Sequence, residues 1–151
     1  MITIVAIGKK HEPWIEPGLE RYEKRLKQPW NIEWILLPHS SLEGIGARQE
    51  ESERILKRLS SDYFVILLDE RGKRLDSPAF SRLIESTQTY GKKIAIIIGG
   101  AYGVTDELQQ HADIVFSLSE LVFPHQVVRL LLVEQLYRAQ SIAAGSKYHH
   151  Q

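Results

Sequence analysis

The sequence predicts an α/β fold: one domain with a mainly parallel sheet of five or six strands flanked by helices. Three observations carry this. Short runs of branched apolar residues alternate with amphipathic stretches along the whole chain, as repeated strand–helix units do. The runs "YFVILLDE" and "KIAIIIGG" are almost continuously apolar, as strands covered on both faces are. Glycines stand where helical stretches should stop, at Gly91 and Gly145.

Element by element, "ITIVAIG" reads as a first buried strand. Residues 13–28 carry Trp14, Ile15, Leu19, Tyr22 and Leu26 at roughly helical spacing with charges between them. "NIEWILLP" is a second strand stopped by Pro38, "SLEGIGARQ" a loop, and "EESERILKRL" a short amphipathic helix. After the third strand, Ser77-Pro78 supplies a cap and a first-turn proline for a helix closed by Gly91. The fourth strand runs into Gly99-Gly100, and Thr105 and Asp106 cap a short helix reaching about His111. "DIVFSLSE" is strand five, and a long helix from Pro124 to about Ala144 completes the chain.

Composition bounds what such a domain does. The 151 residues suit a single domain over 1–151 with a sizeable core. Lys plus Arg and Asp plus Glu both count 19, so bulk electrostatics does not hold nucleic acid; any such partner is met by a local patch or by fixed geometry. The absence of cysteine excludes disulfides and thiolate metal sites and fits a cytoplasmic address. No metal is expected. "LVFPHQVVRLLLV", the greasiest stretch, is interrupted by Pro124, His125 and Arg129, so no membrane span is expected.

In open parallel sheets, ligands bind beyond the carboxyl ends of the strands. Three loops there have unusual chemistry: "LDERGKR", "GGAYGV" and "LSELVFPH". The glycines allow backbone to approach a ligand closely, although a double glycine after a strand also serves as a plain tight turn. "GGAYG" is not GxGxxG and no GK[ST] follows, so neither the dinucleotide nor the P-loop fingerprint is present. The apolar third loop suits a flat neutral ring better than a polyphosphate.

"LLDERGKRLDSPAF", "IIIGGAYGV", "FSLSELVFPHQVVRLLLVEQLYRAQSI" and the tail "KYHH" together resemble the bacterial large-subunit ribosomal RNA (pseudouridine-N3) methyltransferases. These are minimal members of the SPOUT class of S-adenosylmethionine-dependent methyltransferases. The resemblance runs from "IVAIGK" to the end of the chain. A family pattern close to GGPEG reads Gly99-Gly100-Ala101-Tyr102-Gly103 here, without the proline and the acid. The resemblance implies a C-terminal trefoil knot, a homodimer and ribosomal RNA in the assembled ribosome as substrate. It also implies S-adenosylmethionine held around Leu68, Gly100 and the run Ser119, Glu120, Leu121, Val122, Phe123 and Pro124. Two other readings stay open: a SPOUT enzyme acting on transfer RNA, and a non-catalytic ribosome-binding protein that keeps the fold.

Methylation of an imide nitrogen requires loss of its proton and stabilisation of charge on the flanking carbonyls. Candidates are Arg129, Arg138, Tyr148 and His149. All but Tyr148 have a plainer alternative. Arg129, on an apolar helix face, either pairs across a subunit interface or projects into the site. Arg138 stands four residues after Glu134, the spacing of a helix-surface ion pair. Tyr148 stacks on or hydrogen-bonds a base, while His149 relays a proton or is a disordered terminal histidine. His125, beside Pro124, reads as a structural hydrogen-bonding group. Arg71, Lys73 and Arg74, with Arg21, Lys24, Arg25 and Lys27, form either a solvated face or contacts to RNA phosphates.

Overall fold

The computed structural model describes residues 1–150. The elements follow in the order β1 (Ile2–Ile7), α1 (Glu16–Glu23), β2 (Ile32–Leu37), α2 (Gly44–Leu56), β3 (Tyr63–Arg74), α3 (Ser77–Thr89), β4 (Lys93–Ile98), α4 (Asp106–His111), β5 (Ile114–Ser117) and α5 (His125–Ala143). The sheet has five strands in the order β2-β1-β4-β3-β5, and every pairing is parallel.

The strands are apolar on both faces because both faces are covered. On one side Ile4, Ala6, Ile66, Ile94 and Ile96 pack against Phe80 and Ile84 of α3 and Leu132, Val133 and Leu136 of α5. On the other, Val5, Ile7, Val65, Leu67 and Ile97 meet Ile55 of α2 and Leu108 of α4. Successive residues of β1 thus point to opposite cores, as the period of two requires. Burying a branched side chain of this size stabilises the fold by roughly 1.5–3 kcal/mol. Phe80 and Phe116 stack across the first core with ring centroids 5.2 Å apart.

Four boundaries differ from the sequence reading. Helix α1 covers only Glu16–Glu23 rather than residues 13–28, beginning with Pro17 in its first turn. Helix α2 starts at Gly44, inside the segment expected to be loop, because Ala47 at 1% exposure buries itself along with Ile55. Strand β3 continues to Arg74, where a loop was expected after Glu70, and β5 stops at Ser117 rather than at residue 120. At the start of α3 the cap is Asp76, whose carboxylate accepts the Ala79 N–H at 2.8 Å; Ser77 instead donates to Gln135 at 2.6 Å. The other stops stand as expected: Thr105 accepts from Leu108 N at 3.2 Å, and Gly91 and Gly145 take positive φ of 75° and 71°.

Candidate active site

Beyond the carboxyl ends of β3, β4 and β5 lies an open cavity of about 930 Å³. The three loops singled out in the sequence converge on it, together with residues of α2 and the first turn of α5. Each loop is shaped by a specific local device.

The first device is in β3. Its ladder with β5 changes register, so that both Leu68 and Lys73 stand opposite Phe116. The extra residues bulge out and present Asp69, Glu70 and Arg71 to the cavity. Gly72 permits the bulge: a Cβ there would stand 2.6 Å from the Val115 carbonyl group. Arg71 grips Asp69 through two hydrogen bonds, Nε at 2.9 Å and Nη2 at 3.0 Å. That contact holds the Asp69 carboxyl below its ordinary range and raises the arginine.

The second is the glycine loop. Gly103 adopts φ of 79° and donates its N–H to the Gly100 carbonyl at 3.0 Å. A side chain on Gly99 would run into Val104, and one on Gly100 would overlap the carboxylate of Glu51 from α2. So the backbone here is bare partly because another part of the chain lies against it. The Ser52 hydroxyl accepts the Thr105 N–H at 3.0 Å, which fastens the loop to the same helix.

The third loop follows β5. Ser117 Oγ donates to Ser119 O at 2.9 Å, and Ser119 Oγ accepts the Leu121 N–H at 3.0 Å. This tight turn lifts Leu121 and Val122 into the open, 70% and 75% exposed.

Of the residues the resemblance assigns to a cofactor, Leu68, Gly100, Ser119, Leu121, Val122 and Phe123 line the cavity. Glu120 and Pro124 do not. Glu120 turns outward to Arg74 at 2.9 Å, and Pro124 is the N-cap residue of α5, its carbonyl accepting Val128 N at 3.0 Å.

Arg129 takes neither position the sequence left open. It is fully buried, with Nη1 donating to Lys10 O at 3.1 Å and Nη2 to Ile7 O and Gly8 O at 3.0 and 3.1 Å. Nη1 also meets His11 Nδ1 at 3.1 Å. These donors clamp α5 to the end of β1, so within the chain Arg129 does not reach the cavity. His125 lines the cavity, its imidazole pushed to lower pKa by burial and then by the guanidinium of Arg129.

Arg138, Tyr148 and His149 form a separate cluster. Arg138 pairs with Glu134 at 2.6 Å, the helix-surface ion pair its spacing suggested, and its Nη1 is 3.1 Å from His149 Nδ1. Tyr148 donates to Glu134 Oε1 at 3.3 Å and meets Tyr137 edge to face at 4.8 Å. Burial raises its phenol pKa to about 12. The tail is therefore packed rather than loose. Arg138 lies thirteen positions along α5 from His125, about 20 Å along the axis, so one chain does not bring this cluster to the cavity.

Sequence reasoning missed Glu51, Gly72 and the paired Asp69. The signal for Glu51 was available: Ala47, Glu51 and Ile55 recur at intervals of four and share one helix face.

A family model described as a predicted SPOUT methyltransferase matches residues 1–149. The chain belongs to that family. This SPOUT methyltransferase is 39% identical to the protein named ribosomal RNA large subunit methyltransferase H of Acetivibrio thermocellus, over 98% of both chains. Proteins of that name from Shouchella clausii and Geotalea daltonii are 40% and 36% identical, over 98% and 99% of both chains. Among solved structures it resembles the SpoU methyltransferase AviRb of Streptomyces viridochromogenes, in complex with the cofactor AdoMet. The TM-score is 0.50 at 13% identity, covering 95% of this chain and 58% of that one, a likeness of fold. Among the described residues no helix is long and apolar enough to cross a membrane, and no group of three or more His, Asp or Glu side chains is placed to hold a metal ion.

Proposed function

We propose that the cavity binds S-adenosylmethionine and that the protein methylates N3 of a pseudouridine in large-subunit ribosomal RNA. It acts in the cytoplasm on the assembled ribosome, as a homodimer whose C-terminal segments form a trefoil knot. The observation that carries this reading is the convergence of Leu68, the glycine loop and the apolar loop on one cavity. Support comes from the names of the relatives and from the AdoMet bound to the SpoU neighbour.

The donor set fits such a cofactor. Apolar walls from Leu68, Leu121, Val122 and Phe123 suit an adenine ring, and the backbone of Gly99 to Gly103 lies open for its polar edges. Acidic groups at the rim (Asp69, Glu70, Asp106 and Glu107) suit a cation rather than a polyphosphate.

When bound, the cofactor supplies an electrophilic methyl group on a sulfonium. The protein must orient the acceptor base and receive its proton. In a single chain the tail is parked. The Arg138 guanidinium can only donate, so His149 Nδ1 is the accepting nitrogen of their contact. The Tyr148 phenol keeps its proton at neutral pH. In the proposed homodimer the partner's tail approaches the cavity, Tyr148 packs against the base, Arg138 stabilises charge on its carbonyl oxygens, and His149, released from Arg138, takes the proton.

The test is incubation of the protein with radiolabelled S-adenosylmethionine and ribosomes from a strain lacking it. Label is expected in one pseudouridine of the large-subunit RNA. Absence of label from ribosomal RNA overturns the reading.

A further inference from the structure

Glu51 is an acidic group that the mechanism above does not use. It is 4% exposed. Its Oε2 accepts the Ser40 N–H at 2.9 Å, while its Oε1 is buried and has no hydrogen-bond partner. That free oxygen lies against Gly100, at the place a side chain of Gly100 would fill, and Gly100 is part of the cavity wall. The ion-pair contact that Glu51 makes among the described residues is with His39, whose Nδ1 is 3.8 Å from Oε2 and whose side chain is 66% exposed. His125 also lines the cavity, its pKa lowered by burial first and then by Arg129 and His39, against a smaller opposing effect of Glu51. Arg129 itself directs Nη1 and Nη2 to backbone carbonyls and His11.

A buried carboxylate without a close cation is costly, and a buried lone oxygen adds to the cost. A fold that keeps one beside a ligand cavity has a use for its charge. We propose that Glu51 is a specificity-determining residue: its carboxylate, set behind the bare backbone of Gly100, favours a positively charged sulfonium in the cavity over the uncharged thioether left after methyl transfer. This rests on the reading of the cavity as an S-adenosylmethionine site.

The chemistry supplies the distinction. In the transfer the S–CH3 bond breaks, the methyl group bonds to the acceptor nitrogen, and both electrons of the old bond stay on sulfur. The acceptor's proton goes to the base. Cofactor and spent product therefore differ by one methyl group and one unit of positive charge at sulfur. Of the acids at the rim, Glu70, Asp106 and Glu107 are exposed and screened by solvent and salt, and Asp69 is paired with Arg71, whereas the Glu51 charge acts through protein, where screening is weak. One missing side chain at Gly100 keeps that layer thin.

The experiment is calorimetric titration of the full chain with S-adenosylmethionine, with S-adenosylhomocysteine, and with an analogue carrying an amine cation in place of the sulfonium. Wild type is expected to bind both cations more tightly than the neutral thioether. Glu51→Gln preserves shape and an acceptor for Ser40. It is expected to lower the ratio of cation to thioether affinity by at least about fivefold, the order that loss of one poorly screened unit charge produces, with thioether affinity little changed. Equal weakening of all three ligands marks Glu51 as merely structural and overturns the proposal, as does an unchanged ratio. If the variant does not fold, the wild-type comparison decides: an amine analogue bound no better than the thioether overturns it. Wild type that binds none of the three overturns instead the reading of the cavity.

Discussion

Arg129 Nη2 and the carbonyl oxygen of Gly8 are 3.1 Å apart, joining α5 to the end of β1. A cation among apolar neighbours is held there by backbone oxygens instead of a carboxylate. Gly8 makes the approach possible, since a Cβ on it would stand 2.8 Å from that same nitrogen. Replacing Arg129 leaves the Ile7 and Gly8 carbonyls without this donor inside the protein. Arg129→Met should therefore cost at least about 3 kcal/mol, the penalty of two or three orphaned buried acceptors. For a chain of this size that is a fall in Tm of roughly 6–12 °C. Urea unfolding within about 1 kcal/mol of wild type would show that the clamp contributes little.

Burial, with a smaller contribution from the same guanidinium, sets a pH dependence. Burial and Arg129 push the imidazoles of His11 and His125 below the ordinary 6.5. A base whose folded pKa is lowered binds protons more readily when unfolded. Stability is then full above about 6.5 and is lost as pH falls toward the folded values. Imidazole titrations followed by NMR should show both midpoints below 6.5, with unfolding free energy declining on the acid side of neutrality. Midpoints at or above 6.5 would contradict this.

The strands were legible because their burial on both sides leaves nearly continuous apolar runs, as in residues 93–98. Local capping chemistry was legible for Thr105, Gly91 and Gly145 for the same reason: the signal lies within a few residues. What the sequence hid depends on distant partners. The bulge at residues 69–72 is decided by the register of β3 against β5, and the burial of Arg129 by carbonyls about 120 positions away. Glu51 looked like one charge in a solvated helix, and only its four-residue spacing from Ala47 and Ile55 betrayed it. Six of the eight residues that the resemblance assigns to a cofactor line the cavity, since loop composition reports what a loop faces. It could not say that the tail folds back on α5.

The tail packs against α5 through few contacts, so its removal should have a small structural effect and a large functional one. Deletion of residues 148–151 removes the Tyr148 contacts to Tyr137, Arg138 and Glu134; Gln151 lies outside the described residues. These contacts are partly exposed, so the loss should be about 1 kcal/mol, the scale of one aromatic pair. Methylation of ribosomes should fall at least about a hundredfold, as for a lost general acid–base group. A truncated protein with unchanged turnover would leave Tyr148 and His149 a purely structural role.

A formal net charge of zero gives this protein little long-range attraction to RNA, and its single five-stranded sheet with flanking helices carries no separate RNA-binding domain among the described residues. Selection of one nucleotide must then come from fit. A rigid surface docking on an already folded one does this, with phosphate contacts near Arg71, Lys73 and Arg74 setting the register. Arg71 is paired with Asp69, and Arg74 with Glu120, so these cations are partly neutralised. Such contacts position an RNA without binding it tightly. Assembled ribosomes or large subunits should therefore be methylated well, and a short hairpin carrying the same nucleotide poorly. Paired replacement of Lys73 and Arg74 by Ala should weaken ribosome binding and flatten its salt dependence by about two phosphate contacts. The measurement is kcat/KM on both substrates across a salt series. Equal values on hairpin and ribosome would mean that recognition is local to the nucleotide, and that docking does not select it.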